Sequence, residues 1–358
     1  MLLGRGRGRM PKVSIVIPSF NGLEYLPDCL EALSRQTEKD FEIIVVDNGS
    51  TDQTQDYLKK NHPKVVQIPL NENKGFAGAC NEGVKQAKGN WIVFLNNDTE
   101  VANDWLGQLL GPLEQDPSVG VTASKPRVQS DRARLDAMGS YLTASGFLRH
   151  VGILEIDHGQ HDQLGDIFSP KGVAFAIEKD LLDRLGGFDE RFVSYFEESD
   201  LFWRVWLAGR SVRVVPTSVV YHKIGGTACH FQYAWVDYHS FKNRIRSILK
   251  NAGFLTLSWM LSLHLICCLG LCLVNLLHPK RWANAGAIAK GILWNLWVFP
   301  ETWRQRLKVQ GSRKVSDRLL FKRVLRPIPF GEFAQYVKWM VWSREQMREQ
   351  THSGNLIF

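Results

Sequence analysis

Short apolar runs alternate with amphipathic segments along the first third of the chain. The runs are rich in β-branched residues, which is typical of buried strands. The segments between them repeat apolar residues every three or four positions, as helices do. The runs lie at 13–17, 41–46, 65–68, 91–95 and 119–123, and the helical segments lie at 24–35, 52–60, 76–87 and 103–114. This alternation predicts an α/β fold with a mostly parallel sheet and helices on both faces.

Polar clusters follow the first four of these predicted strands. The carboxyl ends of parallel strands meet along one edge of a sheet, and ligands bind beyond that edge. We therefore expect the clusters to form one rim around a site. The clusters are Pro18-Ser19-Phe20-Asn21, Asp47-Asn48-Gly49-Ser50, Asn71-Glu72-Asn73-Lys74-Gly75 and Asn96-Asn97-Asp98.

Two carboxylates of this rim could help to bind a nucleotide diphosphate, one through a metal ion and one through the base. Asp98 can give an oxygen ligand to Mg²⁺ or Mn²⁺, and such an ion neutralises the charge of a diphosphate leaving group. Asp47 can accept a hydrogen bond from the N3–H of a pyrimidine base. Each residue also has a structural interpretation, because Asn-Asn-Asp-Thr suits a turn and Asp47 could cap a helix.

Three more candidates lie downstream. Glu197 and Glu198 precede a predicted helix at 199–208, where a carboxylate can act as a base toward a hydroxyl or can cap the helix. His222 follows a predicted strand at 218–221 and could bind a metal, although a single histidine there is more often a surface residue. The other predicted elements are helices at 179–185 and 237–250, a strand at 212–215, and loops and hairpins over 124–170.

Seven motifs occur in a fixed order between residues 12 and 250. They are VIPSFN at 16–21, VVDNGSTD at 45–52, NKGFAGACN at 73–81, FLNND at 94–98, GGFDERF at 186–192, EESD at 197–200 and YH at 221–222. In this order they resemble family 2 inverting glycosyltransferases with the Rossmann-like GT-A fold. The most similar branch is that of bacterial rhamnosyltransferases and galactofuranosyltransferases.

The resemblance implies a role for each matching residue. Glu198 matches the catalytic base, and Glu197 is the acidic residue before it. Asp98 and His222 match ligands of a divalent Mg²⁺ or Mn²⁺ ion. The nucleotide-sugar pocket would be lined by Pro18, Phe20, Asn21, Asp47, Asn73, Gly75, Asn96 and Asn97.

Two residues depart from the family pattern. Asn96 stands where the metal motif has its first Asp, which removes one negative charge beside the ion and predicts weaker metal binding. Glu198 stands where the family usually has Asp, so its longer side chain must retract to reach the same point. Glu197 therefore stays an alternative base.

An uncharged apolar run at 253–277 is long enough to cross a bilayer. Lys250 precedes the run, and Lys280 and Arg281 follow it. A second apolar run at 283–300 carries tryptophans of the kind found at membrane interfaces. Three interpretations compete: a helical hairpin in the membrane, a helix pair lying in its interface, and a soluble homodimer interface.

Charge is concentrated near the C-terminus. The whole chain has a net charge of +8, whereas residues 279–350 alone carry 15 basic and 5 acidic residues, a net +10. A basic segment beside an apolar run favours anionic lipid over nucleic acid as the binding partner.

The six cysteines show no metal or redox spacing, which indicates a reducing compartment. The predicted divisions are a disordered leader at 1–11, a catalytic domain at 12–250, a membrane-associating segment at 251–300 and a basic tail at 301–358.

Together these features predict an enzyme on the cytoplasmic side of the inner membrane. It would transfer a sugar, with dTDP-rhamnose favoured over UDP-hexose or UDP-galactofuranose donors, to a glycan or polyprenyl-linked acceptor in cell-surface polysaccharide synthesis. One alternative is a processive synthase, which by resemblance would need a Gln-x-x-Arg-Trp motif that the sequence lacks. Another is a nucleotidyltransferase, which would usually carry a Gly-rich, basic loop after its first strand.

Overall fold

The computed structural model describes residues 11–224, residues 233–327 and residue 331. Ten strands are found in this part of the chain. They are β1 (Val13–Ser19), β2 (Phe41–Asp47), β3 (Val66–Pro69), β4 (Trp91–Leu95), β5 (Thr99–Val101), β6 (Val119–Val128), β7 (Gly139–Leu142), β8 (Leu148–Val151), β9 (Ala174–Glu178) and β10 (Ser211–His222).

Eight strands form one sheet in the order β3-β2-β1-β4-β9-β6-β10-β5. Strands β1 to β4 pair in parallel, as do β6 and β10. Strand β9 runs antiparallel between β4 and β6, and β5 pairs antiparallel with β10 at the edge. Strands β7 and β8 form a separate hairpin. The prediction of a mostly parallel sheet is confirmed.

The sequence missed two strands and divided a third. Strand β9 is a short apolar stretch without turn signals on both sides, and β5 has three residues, so neither shows a strand period. Strand β10 was predicted as two strands, at 212–215 and 218–221, because Pro216 interrupts the pattern. The structure keeps one strand across this point with a shift of register between Val215 and Val219, as at a β-bulge.

Helices cover both faces of the sheet, as predicted. On one face Ile15 and Ile17 of β1 pack with residues of the two helices α1 and α4. On the other face Val16 and Phe94 pack with α3, α5 and α6. The helices of the catalytic region are α1 (Leu26–Ser34), α2 (Thr54–Asn61), α3 (Gly75–Gln86), α4 (Trp105–Gln115), α5 (Lys179–Leu185) and α6 (Glu197–Leu207).

Five further helices pack beside this sheet. They are α7 (Tyr233–Asn251), α8 (Phe254–Leu276), α9 (Trp282–Trp297), α10 (Phe299–Ser312) and α11 (Asp317–Val324). Helix α7 contacts α6 on one side and α8, α9 and α10 on the other. It therefore connects the sheet region to the apolar C-terminal helices.

A buried ion-pair network joins α6 and α7. Lys250 donates to Asp189 at 2.5 Å and to Asp200 at 3.0 Å. Arg204 pairs with Asp200 at 3.0 Å, and Arg246 donates to Asp189 at 2.8 Å. The sequence presents Lys250 as a positive charge flanking the apolar run, but its side chain is 3% exposed and fully engaged inside the protein. It is therefore not available to lipid.

Helix α8 fully buries one narrow stripe and leaves the rest of its surface partly or largely exposed. Thr256, Met260, His264 and Cys268 are buried at every fourth position, which places them on one face of the helix. His264 Nδ1 lies 2.7 Å from the carbonyl oxygen of Ser145 in the β7–β8 turn. Among the described residues, α8 is the helix whose length and composition would let it cross a membrane.

Candidate active site

The pairing of β5 with β10 brings Asp98 and His222 together. His222 lies opposite Thr99 in the antiparallel register, so the preceding Asp98 adjoins the imidazole. Asp98 Oδ1 is 3.4 Å from His222 Nε2. That oxygen is buried and has no hydrogen-bond partner among the described residues. A buried carboxylate oxygen without a partner is costly, which indicates a site for a cation.

Asp136 and Lys171 lie on the far side of the His222 ring. His222 Nδ1 donates to Asp136 Oδ2 at 2.7 Å, and Lys171 Nζ pairs with the other oxygen of Asp136. This contact directs Nε2 toward Asp98. Burial would lower the pKa of His222, and the neighbouring Asp136 and Asp98 raise it above its usual value. Sequence reasoning missed Asp136 and Lys171, since both lie in an irregular region without a motif.

This geometry fits a divalent cation held by Asp98 and His222. A metal-binding histidine usually donates its second N–H to a carboxylate, as His222 does here to Asp136. In the described part of the chain, no three His, Cys, Asp or Glu side chains form a metal-binding group. A cation between Asp98 and His222 would therefore take its remaining ligands from substrate and water, as Mg²⁺ commonly does.

The turn between β4 and β5 also has a structural function. Thr99 Oγ1 donates to the Asn96 carbonyl oxygen at 2.6 Å, and Asn96 N donates to Val173 O at 2.9 Å. Asn97 Nδ2 donates to Ser19 Oγ at 3.0 Å and so links the ends of β4 and β1. A Cβ on Gly22 would lie 2.1 Å from that Asn97 nitrogen. The loop after β1 thus needs glycine to approach this turn.

Asp47 and Asn21 connect the ends of β1 and β2. Asp47 is buried and accepts from Ser50 N at 3.1 Å and from Gln55 Nε2 at 2.5 Å. Asn21 Oδ1 accepts from Thr51 N at 2.8 Å. Both carboxylate oxygens of Asp47 thus have partners within the fold.

The remaining residues predicted for the donor pocket vary in exposure. Pro18 is partly buried in β1, and the Phe20 ring is exposed at the end of that strand. Asn73 Oδ1 accepts from Gly75 N at 2.8 Å and from Asn48 Nδ2 at 2.9 Å. Gly75 has φ +72°, and a Cβ there would lie 2.4 Å from Val193 O. This loop is therefore closely packed against the segment that precedes α6.

The segment before α6 is conformationally strained. Val193, Tyr195 and Phe196 have φ values of 65°, 68° and 71°, in the left-handed region that L-residues rarely adopt. Asn243 of α7 donates to the carbonyl oxygens of this segment at 2.6–3.0 Å. Strain of this kind is often retained at functional sites. Here the strained segment leads directly into α6, which begins with Glu197 and Glu198.

Glu197 and Glu198 lie in different environments. Glu197 is 6% exposed and its Oε2 has no partner in the described structure. Burial and the charge of Glu198 raise the pKa of Glu197 well above its usual value. Glu198 is partly exposed and packs over Gly172. Burial raises the pKa of Glu198 and the charge of Lys171 opposes the rise.

The structure thus joins predicted residues directly at two places: Asp98 with His222, and Asn73 with Gly75. Asn21 contacts the loop that follows Asp47 through Thr51. Glu198 is linked to the Asp98–His222 pair only indirectly. The charge of Lys171 acts on Glu198, and Lys171 pairs with Asp136, which contacts His222. A shallow pocket beside Asp98 is lined by Glu24, Tyr25, Asp28, Thr99, Gln129 and Lys223. Gly225 and Gly226 follow His222 closely and could let a loop close over a phosphate, but they lie outside the described residues.

Comparison with known proteins agrees with this arrangement. Residues 14–185 match the family model described as glycosyl transferase family 2. The chain is 27% identical over 224 residues to the O-antigen biosynthesis protein RfbC of Myxococcus xanthus, covering 60% of this chain and 17% of that protein. It is 41% identical over 91 residues to a PGL/p-HBAD biosynthesis glycosyltransferase of Mycobacterium bovis, covering 25% and 36% of the two chains. The chain therefore spans less than half the length of either relative.

A solved structure shares the fold. It is the mannosyltransferase PcManGT of Pyrobaculum calidifontis in complex with GDP-Man and Mn²⁺, at TM-score 0.51 and 20% identity. The similarity covers 85% of this chain and 86% of the other. At this identity the likeness establishes the GT-A architecture and not the substrate.

Proposed function

The chain carries a glycosyl transferase family 2 domain, and we propose that it transfers a sugar from a nucleotide diphosphate to an acceptor hydroxyl with inversion at the anomeric carbon. The observation that carries this proposal is the Asp98–His222 pair on the rim of a family 2 sheet. Its buried carboxylate oxygen has no hydrogen-bond partner among the described residues and lies 3.4 Å from His222 Nε2, which supports a divalent cation bound between the two side chains. The relative named for O-antigen biosynthesis supports a role in cell-surface polysaccharide synthesis.

Asp98 and His222 would hold Mg²⁺ or Mn²⁺. When bound, the ion neutralises negative charge that develops on the diphosphate as the sugar leaves. Asp136 keeps the His222 ring in place through its hydrogen bond to Nδ1. With Asn96 in place of a second carboxylate, Asp98 is the single anionic ligand that the turn supplies.

Glu198 is the better placed base. It would accept the proton of the acceptor hydroxyl while the hydroxyl oxygen attacks the anomeric carbon from the face opposite the diphosphate. Its partial exposure gives access to an acceptor, and its raised pKa brings its basicity closer to neutral pH. Glu197 is buried and its raised pKa favours the neutral acid, so it is the less suitable base.

The donor would bind along the rim formed by the ends of β1, β2 and β4. Asp47 would accept the N3–H of a uracil or thymine base if Gln55 turned aside from its carboxylate. Asn73 and Gly75 would line the base and ribose. We favour dTDP-rhamnose, and UDP-sugars present the same N3–H.

The exposed surface of the C-terminal helices would bind the membrane. Large apolar side chains of α8, α9 and α10 face outward; they include Leu255, Trp259, Ile266, Leu269, Leu273, Leu293, Leu296, Trp297, Trp303 and Leu307. Exposed cations such as Arg304, Lys308 and Lys322 accompany them. Apolar and basic residues together favour an anionic lipid surface over a dimer interface.

The packing of α8 favours a helix lying in the interface over one that crosses the bilayer. Its buried stripe extends from Thr256 to Cys268 along the protein. His264 in that stripe contacts Ser145 of the catalytic region. A crossing helix would have to detach this stripe or draw polar backbone of the β7–β8 turn into hydrocarbon, which is unfavourable. The site would then face the cytoplasmic surface of the cell membrane, near a polyprenyl-linked acceptor.

A screen of nucleotide sugars tests the proposed activity. The full chain would be heated with dTDP-rhamnose, UDP-glucose, UDP-galactofuranose or GDP-mannose, each with and without MnCl₂. A donor that binds the folded state raises the melting temperature by mass action. We expect a rise with a pyrimidine donor only when manganese is present. The absence of a rise with every donor, together with no sugar transfer, would contradict the proposal.

Vesicle flotation tests the membrane surface. The double variant Ile266→Glu/Leu269→Glu places charges on the outer face of α8, where both side chains are more than half exposed. Ile153→Glu is the matched control, because that side chain is also about half exposed but lies outside the C-terminal helices. We expect only the double variant to lose binding to vesicles of phosphatidylcholine and phosphatidylglycerol. Equal flotation of the double variant and the wild type would refute this surface.

A further inference from the structure

Arg244 of α7 lies among three aromatic rings. Its guanidinium carbon is 5.0 Å from the centre of the Phe147 ring, 5.5 Å from that of Phe196 and 5.7 Å from that of Phe241. Its Nε is buried and has no hydrogen-bond partner in the described structure. No ion pair joins it to a carboxylate of the described residues, whereas Arg246 and Lys250 of the same helix make such pairs.

The contrast within α7 shows that Arg244 is not part of the structural ion network. Arg246 donates to Asp189, Glu301 and Thr302, and Lys250 donates to two carboxylates. Ring faces attract a cation, but they accept none of the directional hydrogen bonds that a guanidinium can make. The guanidinium of Arg244 therefore has hydrogen-bond donors that could bind the anion of a ligand.

Arg244 adjoins the acceptor side of the proposed site. Phe196, on which it packs, directly precedes Glu197 and Glu198. Lys171 is a second cation near the proposed base, and its charge acts on Glu198. Both cations border the β7–β8 hairpin: Ser169, two residues before Lys171, pairs with Ser140 of β7, and Phe147 lies at the turn beside Arg244.

Buried apolar side chains connect the surroundings of Arg244 to the outer helices. Phe147 and Phe241 belong to a small buried cluster with Cys268 of α8 and Ile288 of α9. The outer faces of the same two helices carry the exposed apolar side chains of the membrane surface. The anionic head of a lipid could contact Arg244 while its hydrocarbon tail contacts the apolar faces of α8 and α9.

We propose that Arg244 binds a phosphate group of a lipid-linked acceptor and so places the acceptor hydroxyl at Glu198. This inference rests on the proposed function and adds to it the residue that would bind the phosphate of the acceptor. The phosphate would accept charge-assisted hydrogen bonds from the guanidinium, which suits paired donation to a phosphate better than an ammonium does. The lipid chain would extend along α8 and α9 toward the bilayer.

Binding of farnesyl diphosphate and farnesol to the full chain in detergent micelles tests this proposal. Intrinsic tryptophan fluorescence would give Kd for each probe with the wild type, Arg244→Gln, Arg244→Lys and Arg184→Gln. Arg184→Gln is the matched control, because it removes an exposed cation of α5, outside the C-terminal helices. We expect the wild type to prefer the diphosphate over the alcohol by about tenfold or more, the loss of one charge-assisted contact being of that order. Arg244→Gln should lose the preference, Arg244→Lys should keep part of it, and Arg184→Gln should keep all of it.

Two results would overturn the proposal. One is equal binding of farnesyl diphosphate and farnesol to the wild type. The other is a loss in Arg244→Gln of binding to phosphatidylglycerol vesicles with no change toward farnesyl diphosphate, which would assign Arg244 to lipid headgroups. Melting temperatures of the variants near that of the wild type would show that they fold. Failure of every nucleotide sugar to bind, with Arg244-dependent diphosphate binding intact, would instead contradict the proposed function alone.

Discussion

Replacing Arg246 with Met tests whether the buried ion network anchors α7 to Asp189 and to α10. The Arg246 side chain is 0% exposed. It donates to Asp189 at 2.8 and 3.3 Å, to Thr302 Oγ1 at 2.6 Å and to Glu301 at 3.0 Å. Removing one partner of a buried pair costs about 3–5 kcal/mol when the other charge is left uncompensated. Lys250 would still pair with Asp189 and Arg191 with Glu301, so we expect the free energy of unfolding to fall by about 3 kcal/mol, the lower end of that range.

Arg191→Met is the matched control for this loss. Arg191 binds the same Glu301 at 2.8 Å, but its side chain is 53% exposed. An exposed pair contributes about 0–1 kcal/mol. Urea unfolding of the detergent-solubilised chain, followed by tryptophan fluorescence and extrapolated to water, would give both values. A loss below about 1 kcal/mol in Arg246→Met would refute the argument from the buried network.

The same network makes stability depend on pH. Burial would raise the pKa of Asp189, and the charges of Lys250 and Arg246 instead hold it well below its usual value. A carboxyl whose pKa is lower in the folded state stabilises the protein fully above its unfolded pKa, which is about 4 for Asp. That stabilisation is lost as the pH falls further. The fall in the free energy of unfolding between neutral and acid pH should therefore be smaller in Arg246→Met than in the wild type.

Three further predictions concern the site. Asp136→Asn should weaken Mn²⁺ binding by about 10- to 100-fold because His222 loses its orienting carboxylate; Mn²⁺ titration by electron paramagnetic resonance would measure this, and unchanged affinity would exclude the orienting role. Glu198→Gln should keep donor binding and lose transfer, whereas Glu197→Gln should retain most of the transfer rate; the reverse pattern would assign the base to Glu197. The acid limb of kcat/KM should lie above pH 4.5, the ordinary pKa of Glu, because burial raises the pKa of Glu198; a limb below that value would contradict the assignment.

The sheet could be predicted because its strands are buried on both faces. Runs such as 41–46 and 91–95 are continuously apolar, and turn residues end each of them. Strand β9 was not predicted because it is short and runs antiparallel to its neighbours. It therefore lacks the strand–helix–strand pattern that marks the parallel strands. Strand β10 was divided because Pro216 resembles a break, whereas a change of register accommodates it.

Site residues could be predicted only where a strand end or a motif marked them. Asp98 and His222 are far apart in sequence, and their contact follows from the antiparallel pairing of β5, which the sequence did not reveal. Asp136, Lys171 and Arg244 lie outside every motif. Their chemistry depends on which side chains surround them, and that depends on tertiary packing.

The charge pattern of the C-terminal part was only partly informative. Local composition counts Lys250 as a cation beside the apolar run, but packing against Asp189 and Asp200 removes it from the surface. Exposed residues such as Arg304 and Lys308 remain available for lipid. The number of charges can thus be read from the sequence, whereas their exposure depends on the fold.

Manganese-dependent donor binding in Asp98→Ala tests the central claim most directly. Isothermal titration of the donor found in the screen would be done with and without MnCl₂ on the wild type, Asp98→Ala and Asp104→Ala, an exposed control at the start of α4. We predict that manganese strengthens donor binding to the wild type and to Asp104→Ala, and that this gain disappears in Asp98→Ala. An undiminished manganese effect in Asp98→Ala would contradict the assignment of Asp98 as the metal ligand of a glycosyltransferase site.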